Sequence, residues 1–470
     1  MTAVMIQGCS SWAGKSLLTT AVCRWYARRG LRVAPFKSQN MSNNARVADG
    51  GEIGVAQWLQ ARAAGVEPDV RMNPVLLKPE AGGSQVVRLG QVDHELSRRP
   101  WRGRSAALWP VIENALADLM DTYDVVVIEG AGSPAEINLA ANDVVNMRVA
   151  ERADAPVLLA VDIDRGGAFA HLYGTWALLP QRQRERVSGF VLNRFRGDAT
   201  LLPPGPEQLE RLTGVPTVGV VPMLRHDLPD EDGAALHGAP APGRPPVAVL
   251  RYPAASNLDE FVPLEQVADV RWVRRPEDLD GAATIVLPGS KHVSADLAWL
   301  RATGLDDAVR AAAGAGTRVV GVCGGLQLLG RRLEDPDGVD GSGDGLGLLP
   351  LTTTFGADKL VRRRRLRMPD GVAGPWRPLA AREVDGYEIR HGRTEVHGPV
   401  DVAAEDALVV TDGNVAGWYL HGVFEDADVL DALFGARPER TDEQTFDHLA
   451  DVVETHMDTD VLRRLAEGSA

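Results

Sequence analysis

Two stretches constrain the fold before any motif is considered. Residues 125–128 (VVVI) and 156–161 (PVLLAV) are apolar at every position. A strand with one wet face alternates apolar and polar residues. A run without alternation needs cover on both faces, which a parallel sheet flanked by helices provides. The strand candidates of the first half are Val4–Ile6, Leu31–Phe36, Val125–Glu129, Val157–Asp162, Gly189–Asn193 and Thr217–Val221. Helical patterns fall between them, as at Lys15–Arg29 and Ile53–Ala64. This order predicts an α/β domain built on a parallel sheet.

The pattern stops at RHDLPDEDGAALHGAPAPGRPP (225–246), which holds five of the chain's 30 prolines. No apolar period survives there, so it reads as a linker. Strand candidates then resume at VAVLRY, DVRWV, ATIVLPGS and TRVVGVCGG. Residues 338–393 are richer in Gly, Pro and Thr and predict loops and antiparallel strands, and a helical segment closes the chain near Asp442–Glu467. The expected organisation is a domain over 1–226, a linker over 227–246, and a second α/β domain over 247–470.

Composition removes several functional classes. The 470 residues carry 50 basic and 64 acidic side chains, a net charge of −14. That balance argues against nucleic acid and anionic membranes as partners. Small anionic substrates stay possible, because a local basic pocket suffices for them. Cys9, Cys23 and Cys323 are the only cysteines, too few for a disulfide framework and without a C-x-x-C pair. The start MTAVMIQGCSS lacks the features of a signal peptide, and no apolar run approaches the ~20 residues of a membrane span. A cytoplasmic enzyme is the expectation.

The first chemical motif follows the first strand: Gly8-Cys9-Ser10-Ser11-Trp12-Ala13-Gly14-Lys15-Ser16. This is a phosphate loop one residue longer than G-x-x-x-x-G-K-[ST]. Its glycines let backbone N–H groups face a phosphate. Ser11, Gly14 and Lys15 are nucleotide-binding candidates, and Ser16 is both a nucleotide contact and a ligand for Mg²⁺. Such a site also needs a carboxylate near the metal. Glu129, at the end of DVVVIE, is the main candidate, with Asp49 and Glu52 in DGGEIG weaker ones. Lys37, following a strand in APFKSQN, is placed to hold a γ-phosphate or a substrate carboxylate.

The second motif is Gly321-Val322-Cys323-Gly324-Gly325 between a strand and a helix. Small residues on both sides permit a sharp turn that presents Cys323 as a nucleophile over a helix N-terminus. Trp418-Tyr419-Leu420-His421-Gly422 supplies a base, His421, also at a strand end. Leu287-Pro288-Gly289-Ser290 ends another strand, so the N–H groups of Gly289 and Gly324 are candidates for an oxyanion hole. The basic run Arg362–Arg365 with Arg367 reads as a solvated loop in preference to a face for an anionic substrate.

These second-half motifs resemble a class I glutamine amidotransferase. In that family the Cys attacks the glutamine amide, forms a thioester and releases ammonia. The first half is similar to the dethiobiotin-synthetase-like P-loop ligases, which share the longer loop and the E-G-A-G turn. Together, in this order, they resemble the cobyric acid synthase family of corrinoid-amidating ligases. The segments carrying this are APFKSQNMSNN (34–44), GEIGVAQWLQARAA (51–64), MNPVLLKP (72–79), EGAGSPAEINL (129–139), DIDRGG (162–167), NRFRG (193–197), LPGSK (287–291), VCGGLQ (322–327) and GYEI (386–389). The resemblance implies amidation of four peripheral carboxylates of adenosylcobyrinic acid a,c-diamide, with MgATP and glutamine consumed at each. It also implies an adenine contact from Asn193 and an acyl phosphate shielded from water.

The chain departs from the family at three points. Cys9 stands where Thr is usual, GYEIHMG reads GYEIRHG, and Val423 occupies the place of the Glu found two residues after the catalytic His in many class I enzymes. A Cys–His dyad is therefore the expectation, with Glu425 the available substitute acid. The rival readings are the sibling a,c-diamide synthase, a P-loop partitioning or regulatory ATPase, and a non-enzymatic glutaminase-like scaffold. QNMS and MNPVLLKP weigh against the first, the second half against the second, and the pair Cys323 and His421 against the third.

Overall fold

The computed structural model describes residues 2–80, 83–224, 226, 228–229, 241, 243–403 and 407–468. The chain divides into two compact units, Met1–His226 with Thr441–Ala470, and Asp227–Arg440. Most of the expected linker, 227–246, lies outside the described residues.

The first unit is built on β1 (Thr2–Gly8), β2 (Val33–Phe36), β3 (Val125–Glu129), β4 (Val157–Asp162), β5 (Val187–Phe195) and β6 (Thr217–Pro222). Their order is β6-β5-β4-β1-β3-β2, and every pair is parallel. The unbroken apolar runs are the central strands. Every residue of β3 and β4 is buried, as the absence of alternation requires. Helix α1 (Lys15–Ala27) leaves β1 through Gly14, whose φ of 84° only glycine adopts cheaply. Helix α2 (Val55–Ala63) follows a hairpin of Ala45–Ala48 with Gly51–Gly54.

The closing helices differ from expectation. Helices Asp442–His456 and Thr459–Glu467 follow the second domain in sequence but belong to the first unit. Their apolar stripe explains this: Phe446, Leu449, Val453, Leu462 and Leu465 are all buried. Polar pairs join the same surface to α1. Arg24 Nε donates to Asp447 at 2.8 Å, Trp25 Nε1 to Glu454 at 2.7 Å, and Tyr26 Oη to the Leu462 carbonyl at 2.7 Å. Gly219 on the edge strand β6 bridges to Met457. The second domain thus ends at Arg440 rather than at the end of the chain.

The second unit holds β7 (Pro246–Leu250), β8 (Asp269–Val273), β9 (Thr284–Leu287), β10 (Arg318–Val322), β11 (Val402–Ala403), β12 (Val409–Asp412) and β13 (Val415–Trp418). The sheet order is β8-β7-β9-β10-β13-β12-β11, parallel through β13 and antiparallel beyond it. The Gly- and Thr-rich region forms a long antiparallel ribbon, Leu351–Arg367 against Glu383–Val396. The arginine run is therefore on a strand and not in a loop. Arg362 Nε donates to the fully buried Glu388 at 2.8 Å, and Arg365 Nε to Asp385 at 2.6 Å. Among the described residues no helix is long and apolar enough to cross a membrane.

Candidate active sites

In the first unit the functional side chains gather at the carboxyl ends of β1, β2 and β3, which are neighbours in the sheet. The phosphate loop folds tightly around its own lysine. Lys15 Nζ donates to the Ser10 carbonyl at 3.0 Å and to the Gly132 carbonyl at 3.2 Å. A Cβ on Gly8 would lie 3.0 Å from Ala13 Cβ and 3.2 Å from Lys15 Cδ, so the loop packs closely against this glycine. Ser11 is exposed on this loop.

Glu129 is the polar centre of the site. It is fully buried and accepts from three side chains: Ser16 Oγ at 2.8 Å, Lys37 Nζ at 2.9 Å and Gln60 Nε2 at 2.6 Å. Burial alone would raise the carboxyl pKa. The Lys37 ammonium and the hydrogen bonds from Lys37, Gln60 and Ser16 outweigh burial and hold it below the ordinary value. Ser16 Oγ and Glu129 Oε1 are hard oxygen donors at the first turn of α1. Among the described residues no three His, Cys, Asp or Glu side chains cluster as a metal cage. This donor set fits Mg²⁺, which keeps water and phosphate oxygens as its other ligands.

The other candidates separate clearly. Asn193, near the end of β5, donates to the Ala13 carbonyl at 2.8 Å, and a Cβ on Gly14 would come within 2.1 Å of its amide nitrogen. It therefore packs on the phosphate loop. Asp49 is exposed at the tip of the hairpin, with φ 47°, followed by Gly50 at φ 70°. That is the two-residue left-handed turn for which Asp-Gly is suited, and turn geometry accounts for Asp49 without a metal. Glu52 is buried and ion-paired with Lys78. Burial pushes the Cys9 thiol up to about 11 against opposing pulls from Thr175 and Lys15, and raises Cys23 as well. Neither sulfur is set up as a nucleophile.

Cys323 differs from both. It joins β10 to the helix Gly324–Leu329 with φ 53° and ψ −106°, a strained conformation for a residue with a Cβ. The glycines around it make the turn possible. A Cβ on Gly325 would lie 1.9 Å from the Leu287 carbonyl oxygen, and one on Gly321 would lie 2.4 Å from Gly325. The helix that follows has only six residues.

His421 is buried beside Cys323, whose Sγ donates to the Ile389 carbonyl at 3.5 Å. The His421 Nδ1 lies 2.8 Å from Glu260 Oε1. The second oxygen of Glu260 accepts the Gly422 N–H at 2.9 Å. Burial pushes the imidazole pKa down, but the Glu260 carboxylate and Cys323 outweigh it and lift it to about 10. His421 thus carries a proton at neutral pH. The Tyr387 ring stacks on it at 5.2 Å, and Asn257 Nδ2 donates to the Tyr387 hydroxyl at 2.9 Å. The expected Cys–His dyad therefore has an acid beside it, and that acid is Glu260 and not Glu425.

The proposed oxyanion glycines lie beside this pair. A Cβ on Gly289 would be 3.1 Å from His421 Cε1, and one on Gly324 would be 2.6 Å from the Ser290 nitrogen. Asp296 staples the loop, accepting from Ser290 Oγ at 2.6 Å and from the Ala254 N–H at 2.9 Å.

Sequence reasoning missed Gln60, Glu260 and the stacking role of Tyr387. Gln60 and Tyr387 fall within segments singled out for resemblance. Glu260 carries no motif and lies 161 residues before its partner.

Comparison with known proteins agrees with this division. Residues 4–231 match the CobQ/CobB/MinD/ParA nucleotide binding domain, and residues 246–429 match the CobB/CobQ-like glutamine amidotransferase domain. The chain is 56% identical to the cobyric acid synthase of Polaromonas sp. (strain JS666 / ATCC BAA-500), covering 98% of both proteins. It is 58% identical to that of Variovorax paradoxus (strain S110), again over 98% of each. For Paracidovorax citrulli (strain AAC00-1) the identity is 58% over 97% of each.

Proposed function

This chain belongs to the cobyric acid synthase family, and on that premise we propose how its two units divide a glutamine-dependent amidation. The substrate is adenosylcobyrinic acid a,c-diamide, and four peripheral carboxylates become amides. The observation that carries the reading is the buried line Cys323, His421, Glu260 in a chain whose other unit holds a phosphate loop against Glu129.

In the second unit Cys323 Sγ attacks the side-chain carbonyl carbon of glutamine. The oxyanion that forms is held by the N–H groups of Gly289 and Gly324. His421, oriented by Glu260, gives its proton to the departing nitrogen, and ammonia leaves a thioester behind. Water, losing a proton to His421, then hydrolyses the thioester to glutamate and restores the starting state.

In the first unit Lys15 and the loop N–H groups hold the ATP phosphates, and Lys37 neutralises charge between phosphate and carboxylate. Mg²⁺, held by Ser16 and Glu129, supplies further charge neutralisation when bound. A substrate carboxylate oxygen attacks the γ-phosphorus and ADP departs, leaving an acyl phosphate. Ammonia attacks the acyl carbon and phosphate leaves, giving the amide. Asn193, fixed against the loop, is the adenine contact. The reaction takes place in the cytoplasm.

The test is incubation of the full chain with glutamine, MgATP and the a,c-diamide, followed by mass spectrometry. Successive carboxylate-to-amide conversions are expected. ATP hydrolysis without any conversion would instead support a regulatory ATPase.

A further inference from the structure

Single exposed apolar side chains are ordinary, and they carry meaning where several gather beside a site. Among the described residues eleven large apolar side chains are exposed, and four of them stand on the segments leaving β1, β2 and β3. These are Trp12, 37% exposed, Met41 at 49%, Ile137 at 66% and Leu139 at 52%. The three strands are neighbours in the order β1-β3-β2, and their exit segments are tied together. Lys15 Nζ reaches the Gly132 carbonyl at 3.2 Å and Ser38 Oγ donates to the Val144 carbonyl at 2.7 Å, while within the β3 exit Asn146 Nδ2 donates to the Ala131 carbonyl at 2.7 Å. The Ser16–Glu129–Lys37 cluster sits at the same strand ends.

Trp12 adds an independent observation. Its φ is 65°, a left-handed conformation unfavourable for a bulky residue. Glycine or asparagine would fill that position with less strain, and the side chain is not spent on the core. Both costs have an explanation if the indole meets a ligand.

We propose that Trp12, Met41, Ile137 and Leu139 form an apolar platform on which the corrin ring of the substrate lies, beside the carboxylate-activating centre. The inference rests on the amidation reading above. The occupant follows from chemistry. A corrin is a broad macrocycle with apolar faces and carboxylate arms at its rim, so its face suits an apolar surface and its arms suit the Lys37 side of the site. Apolar contact is non-directional. A platform of this kind lets one ring dock in several rotations and bring different carboxylates to one phosphate loop.

The test compares full-length Met41→Ser and the double variant Ile137→Ser/Leu139→Ser with Leu201→Ser, an exposed apolar residue elsewhere. KM is measured for the a,c-diamide and for ATP, and a,c-diamide binding is followed by equilibrium dialysis. The platform variants are expected to weaken corrinoid binding about tenfold, with KM for ATP within about twofold of wild type. Ile137→Leu/Leu139→Met should restore affinity, and Leu201→Ser should match wild type. Unchanged corrinoid affinity in both platform variants, or an equal rise in KM for ATP, overturns the platform. A wild type that binds the diamide without amidating it overturns the functional reading alone, because dialysis still compares the variants.

Discussion

Glu260 Oε1 lies 2.8 Å from His421 Nδ1, and Glu260 Oε2 takes the Gly422 N–H. The carboxylate thus fixes both the imidazole and the backbone that carries it. The acid comes from the turn after β7, upstream of the nucleophile, and not from the residues following the histidine.

Glu260→Gln is expected to lower glutamine-dependent kcat by about 10²-fold, with ammonia-dependent amidation retained. The sign of the pH effect follows from the raised His421 pKa. With a folded value of about 10 above the ordinary 6.5, the stabilisation is fully present below pH 6.5 and is lost as pH rises through 10. Wild type should therefore lose Tm between pH 6.5 and about 10, and Glu260→Gln should lose less. Equal Tm losses would show that the pair does not hold the proton.

Cys323→Ala removes the only sulfur placed against His421 among the described residues. Glutamine-dependent activity should vanish and activity with added ammonium should persist. Lys15→Ala should abolish amidation with either nitrogen source, since it acts before ammonia is used. Product formation measured with both donors separates the two outcomes.

Glu129→Ala leaves the Lys37 ammonium buried without its carboxylate. Breaking a buried pair costs about 3–5 kcal/mol, so Tm should fall along with ATP binding. The Glu129 pKa is depressed in the folded state. Its contribution is present above the ordinary carboxylate value of 4.5 and is lost as pH falls through the folded value. The acid limb of wild-type unfolding should flatten in the Glu129→Gln variant.

Truncation after Arg440 removes the helices that cover α1. Loss of ammonia-dependent amidation is expected with glutamine hydrolysis retained, because Cys323, His421 and Glu260 all lie within Asp227–Arg440. Phe446→Ala probes the same packing in the intact chain and should cost about 3–5 kcal/mol, read by chemical denaturation. Arg24→Ala should cost at most about 1 kcal/mol, since Asp447 is half exposed and surface pairs contribute little.

The sequence by itself determined the parts whose physics is local. Short unbroken apolar runs between turn residues suit strands covered on both faces, and β3 and β4 are that. Gly14-Lys15-Ser16 and Gly321 to Gly325 are read in a few residues because a tight turn demands glycine where it occurs. Tertiary structure alone decided what meets across the chain. It chose Glu260 over Glu425, gave Gln60 to Glu129, turned Asp49 into a hairpin tip, and returned the closing helices to the first unit. Those outcomes depend on which strand ends become neighbours after the crossovers. A buried carboxylate takes whichever donors the fold brings within about 3 Å, and nothing in the spacing of Glu260 from His421 records that they will meet.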